Sequence, residues 1–131
     1  MKNFRFLSAL VVLMLAITTT DISAQTITEN VTIVELEQVP GAFETTALEL
    51  APGKYQFKVT NKSVAKDVGF VIQEAKDKDG DVMKTAVTNS FGESVVAEGQ
   101  TTTTGIVELK AGEYVYSCPL NPTPKYTLTV K

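Results

Sequence analysis

The sequence predicts an all-β fold, an antiparallel β-sandwich of about seven or eight short strands with one short helix or irregular insertion. Three observations point there. Apolar residues alternate with polar ones at period 2 in several stretches, notably Tyr55, Phe57 and Val59 and, near the end, Tyr126, Leu128 and Val130. The turn-prone pairs Pro40-Gly41 and Pro52-Gly53 separate such stretches, because proline presets φ and glycine tolerates positive φ. A single cysteine, Cys118, excludes an internal disulfide, so burial of apolar surface must hold the chain together.

The first 24 residues read as a secretory signal peptide. Lys2 and Arg5 give a positive start, Leu7 to Ile17 is a largely apolar run, and Ile22-Ser23-Ala24 fits a signal-peptidase site. That run is too short for a bilayer span, which takes roughly 20 residues. Cleavage after Ala24 leaves one domain, 25–131, with no membrane span, and points to a periplasmic or secreted protein. A domain of this length buries one core, not two.

The elements follow in order. Val31 to Glu37 alternates, with Val31, Ile33 and Glu35 on one face and Thr32, Val34 and Leu36 on the other. Thr45 to Leu50 and the stretch after Pro52-Gly53 are the next strands. Val68 to Gln73 is denser in apolar residues and reads as a central strand. Ala75 to Gln100 is the exception: charged at first, with Asp81 to Asn89 offering a short helix capped by Asp81. Thr101 to Leu109 and Glu113 to Cys118 read as a pair around Lys110-Ala111-Gly112, with Tyr114, Tyr116 and Cys118 on one face. Lys125 to Lys131 is the last strand.

Composition excludes several function classes. Removing Lys2, Arg5 and Asp21 with the signal takes the formal charge from −3 to −4 and leaves no arginine. Without arginine forks or a basic stripe, nucleic acid is excluded as a partner, and so is an anionic membrane surface. Histidine is absent. With no histidine base, nucleophile elbow or phosphate loop, the chain reads as a non-enzyme.

Two segments resemble the cupredoxin family. In APGKYQFKVTNKSVAKDVGFVI a Pro-Gly turn opens a strand, an asparagine closes it, and the first copper histidine would follow. GEYVYSCPLNPTPKYTLTV resembles the closing half, where a strand of alternating aromatics delivers the copper thiolate. The resemblance covers roughly Val31 to Lys131 and implies a Greek-key sandwich. A second branch, the cupredoxin-like domain of EfeO-type iron-uptake proteins, is similar in its Cys, Asn-Pro and Lys before the last strand. That likeness implies a metal site of carboxylates with the cysteine.

The resemblance also implies where copper ligands are lost. A blue-copper site needs two imidazoles and a thiolate, usually with a weak axial methionine. Only Cys118 remains. Lys66, followed by Asp67, stands at the first histidine position. Asn121, Pro122 and Thr123 stand where the second is due, with Lys125 the alternative for a longer loop. An ammonium cannot ligate a metal without losing its proton.

Three readings of Cys118 stay open from the residues alone: a packed small hydrophobe, a copper(I) ligand, or an oxidant-reactive thiol. Met83, the only methionine after the signal, is the soft partner that a copper(I) site would use. Lys66 and Lys125 converge near Cys118 only if both alignments hold. Asp77, Asp79 and Asp81 around Gly80 have the wrong spacing for a calcium loop and read as a charged turn. Asn61 reads as a turn stabiliser through its side-chain amide. The expected function is a cupredoxin-like binding module without cofactor, its partner an unknown periplasmic or extracellular protein or small ligand. The alternative handles copper or iron through Cys118 with Met83 or carboxylates, and electron transfer comes last.

Overall fold

A computed structural model describes residues 30–131. The expected signal peptide and cleavage site lie outside the described residues. Two sheets pack face to face. The first joins β1 (Val31–Val39), β2 (Ala42–Phe43), β4 (Gly53–Asn61), β6 (Thr101–Thr103) and β7 (Val107–Leu109). The second runs in the order β3 (Ala47–Leu50), β9 (Tyr126–Val130), β8 (Gly112–Ser117), β5 (Val71–Glu74). The expected sandwich is there, with nine strands among the described residues rather than seven or eight. The additions are the two-residue β2 and the division of the Thr101 to Leu109 stretch.

Pairing is mixed. β1 lies parallel to β4, and β3 parallel to β9, while the other ladders are antiparallel. The parallel neighbours arise because β1 hands over through β2 and β3 to the other sheet before the chain returns in β4.

Two strand expectations are corrected. The stretches 101–109 and 113–118 do not form a hairpin: β6 and β7 both pair β4, and β8 pairs β5 and β9. Lys110-Ala111-Gly112 is a crossing between sheets. The second correction is β5, which is an edge strand, not a central one. Its apolar density reflects cover from the insertion. The Val87 N–H donates to the Ile72 carbonyl at 2.8 Å, and the Ile72 N–H donates to Ser90 Oγ at 3.1 Å. A buried strand edge needs such partners.

Within the insertion a single 3₁₀ turn, Ala75–Asp77, precedes α1 (Val82–Thr85). The Asp81 side chain accepts from the Met83 N–H at 2.9 Å, the cap its position suggests. Helix stops there because Ala86 turns extended and bridges Gln73.

The core lies between the sheets. Leu36, Phe57, Val59, Ile72, Val107, Leu109 and Leu128 are all buried in it. At its centre Phe70 stacks on Phe57 with centroids 5.4 Å apart, and Phe43 meets Tyr116 edge-on at 5.3 Å. The Tyr116 hydroxyl donates to the Thr45 carbonyl, pinning the β2–β3 crossing to the opposite sheet.

Candidate functional site

Strand β8 carries the candidate site to one end of the sandwich. Its alternation turns Tyr114, Tyr116 and Cys118 inward, and Pro119, lacking an N–H, ends the ladder. The loop that follows folds back on the cysteine. The Asn121 N–H donates to Cys118 Sγ at 3.0 Å, and the Cys118 N–H donates to Thr123 Oγ1 at 3.0 Å. From the facing segment the Gly69 N–H donates to the same sulfur at 3.2 Å.

Two side-chain amides close the cluster. Gln38, at the end of the inward stripe Val34-Leu36-Gln38, donates through Nε2 to the Gly69 carbonyl at 2.6 Å. Asn121 Nδ2 donates to Gln38 Oε1 at 3.4 Å and to the Val39 carbonyl at 3.1 Å. Asn121 Oδ1 accepts from the Gly41 N–H at 3.1 Å, in a turn where Gly41 sits at φ +70°. Cys118, Asn121 and Gln38 are 4 %, 3 % and 0 % exposed, so this is a dry, hydrogen-bonded group. No buried side-chain nitrogen or oxygen among the described residues lacks a partner.

The other sequence-predicted residues go elsewhere. Lys66 is exposed, and its main-chain carbonyl rather than its ammonium is engaged, accepting from Asn61 Nδ2 at 2.9 Å. Lys125 reaches over the outer face of the second sheet and donates to Gln73 Oε1 at 2.6 Å. Gln73 lies opposite Val115, which points away from the face that Cys118 occupies. The two lysines therefore do not converge on the thiol. Met83 is 75 % exposed on α1, so its thioether faces solvent while Cys118 is buried. Asp79 and Asp81 are exposed, and the turn's carbonyls at Asp77 and Gly80 are taken by Gln73 Nε2. No group of three or more Cys, Asp or Glu side chains arranged to hold a metal occurs among the described residues. The donors beside Cys118 are amides already committed to main-chain partners. They do not supply the imidazoles of a type-1 centre, since the chain has no histidine.

Asn61 behaves as its position suggests. Its Oδ1 accepts from the Val64 N–H at 2.8 Å, and its Nδ2 donates to the carbonyls of Val64, Lys66 and Val96. This fixes the segment that leads to Gly69. Sequence reasoning missed Gln38. The available signal was a glutamine at an inward position of an apolar stripe, which demands a buried polar partner.

Outside the cluster the surface is mostly apolar, with Glu93 and Ser94 at its side. Leu120 and Val95 are 44 % and 57 % exposed, and with Phe70, Phe91 and Pro119 they line a shallow cleft of about 340 Å³. A larger groove of about 410 Å³ lies beside α1 among Glu74, Asp77, Lys84, Glu108 and Lys110. Its charges are mixed, and it lies away from the Cys118 end.

No family model matches the chain, and no curated protein matches it. Solved structures do. Auracyanin A, a blue copper protein from the green thermophilic photosynthetic bacterium Chloroflexus aurantiacus, superposes with a TM-score of 0.60 at 16 % identity, over 78 % of this chain and 100 % of that one. Auracyanin B gives 0.59 at 19 % identity, over 76 % and 88 %. Dithionite-reduced auracyanin from the photosynthetic bacterium Roseiflexus castenholzii gives 0.59 at 16 %, over 76 % and 97 %. Likeness at this identity speaks for architecture alone, and on that ground the chain has the cupredoxin fold.

Proposed function

We propose that this protein is an exported, non-catalytic cupredoxin-like binding module without a type-1 copper site. It works in the periplasm or outside the cell. One observation carries the reading: the chain has no histidine, and the loop after Cys118, where an imidazole is due, instead presents the buried Asn121 amide, bonded to Gln38 and the Val39 carbonyl. The apolar cleft at Leu120, Val95 and Phe91 is the recognition surface, carried on loops over a rigid scaffold. It suits an apolar element of a periplasmic or extracellular protein, or a small apolar ligand.

The test is titration of the purified exported protein with excess copper(II). The expected result is no intense blue charge-transfer band. A stoichiometric blue centre would overturn the reading. An intermediate role, handling copper or iron through Cys118 with Met83, draws no support from a thioether that faces solvent.

A further inference from the structure

The first sheet has an uncovered edge. Strand β1 pairs β4 along Val31 to Gln38, but on its other side it pairs only the two residues of β2, at Gln38 and Val39. The direction of its main-chain groups follows from two bonds. The Glu37 carbonyl accepts from Glu44 on the β2 side, and the Gln38 carbonyl accepts from Lys62 on the β4 side. Main-chain groups alternate along a strand, so the N–H and C=O of Val31, Ile33 and Glu35 all point outward. No strand pairs them among the described residues.

Of the other edges, the far side of β3 is also unpaired among the described residues but spans only four residues, and two more are covered. The insertion covers β5 through Val87 and Ser90, and the Glu93 N–H donates to the Thr103 carbonyl along β6. Against that, Val31 to Glu35 has no proline, and four of its five residues are β-branched. Ile33 is 60 % exposed at its centre. An open edge of this composition is a template for another strand.

The pattern is self-complementary in one arrangement. In an antiparallel pairing of two copies about a two-fold axis at Ile33, Ile33 faces Ile33, Val31 faces Glu35, and Thr32 faces Val34. Every outward main-chain group of Val31, Ile33 and Glu35 then finds a partner. Parallel pairing would instead set Glu35 beside Glu35, a repulsive contact. Lys58 already balances Glu35 on its own sheet at 3.4 Å. We propose that the protein forms a two-fold homodimer by antiparallel pairing of β1 with β1, centred on Ile33, making one continuous sheet across both copies.

Sedimentation equilibrium of the exported protein over a concentration series tests this, with Ile33→Pro and Ile33→Lys alongside. Proline removes only the outward donor, which the monomer's own ladder does not use. Lysine leaves that donor but places like charges across the axis. The wild type is expected to dimerise, with both variants weakened at least about tenfold and their circular dichroism unchanged. Amide exchange at Ile33 should slow as wild-type concentration rises. If Ile33→Pro disturbs the fold, Ile33→Lys decides alone. A wild type still monomeric at about 1 mM overturns the proposal. So does a dimer that Ile33→Lys leaves intact.

Discussion

Gln38 and Asn121 meet side chain to side chain at 3.4 Å, one from the first strand and the other from the loop after Cys118. Together they fix both N–H donors on the sulfur: Gln38 holds Gly69 through its carbonyl, and Asn121 supplies its own main-chain N–H. Both amides are buried, so each is costly to leave half-satisfied. Gln38→Ala and Asn121→Ala should each lower stability by about 1–3 kcal/mol in urea unfolding. Because they share one network, the double variant should cost less than the sum. Strict additivity would mean that the two amides act independently.

Asn61 should be the costlier asparagine. Its single fully buried side chain accepts one N–H and shares its two amide hydrogens among three carbonyls. Asn61→Ala is expected to cost about 2–4 kcal/mol, read as a shift of the denaturant midpoint. A loss no larger than a surface substitution would show that water replaces the amide there.

Alkaline pH should expose Tyr116. Burial, helped by neighbouring Tyr126, pushes its phenol up from 10.0 to about 12. The folded state holds that proton more tightly than the unfolded chain does. The resulting stability is complete below pH 10 and is lost as pH rises from 10 through about 12. The loss is on the order of 2 kcal/mol at the alkaline end. Tyr116→Phe should be less stable at neutral pH, having lost the bond to the Thr45 carbonyl, and should show a shallower decline. Parallel pH curves for the two proteins would contradict the assignment.

Cys118→Ser separates packing from metal chemistry. The sulfur is buried and accepts two main-chain N–H bonds, a role that a hydroxyl fills imperfectly. The expected cost is about 1 kcal/mol, with wild type and variant binding copper(I) equally poorly. Tight one-to-one copper(I) binding by the wild type, lost in Cys118→Ser, would make the thiol a metal ligand.

Local pattern was enough for much of this protein. The period-2 stripes in β4 and β9 named their buried faces, since strand geometry sends alternate side chains to opposite sides regardless of partner, whereas β8 is buried on both faces at Tyr114 to Ser117. The Asp81 cap and the Asn61 turn were legible because both act within a few residues of themselves. Which strands pair, and what surrounds Cys118, was settled only by tertiary structure. Val68 to Gln73 has the same composition whether strands or an insertion bury it, so β5 read as central when it is an edge. The stretches either side of Lys110-Ala111-Gly112 look like a hairpin until each finds a different sheet. Lys125 was a candidate neighbour of the thiol through the family resemblance, yet its ammonium lies on the opposite face of the sheet, against Gln73. Gln38 lies 83 positions from the asparagine it meets, a distance over which no local periodicity carries information; only the packing of the two sheets brings the amides together.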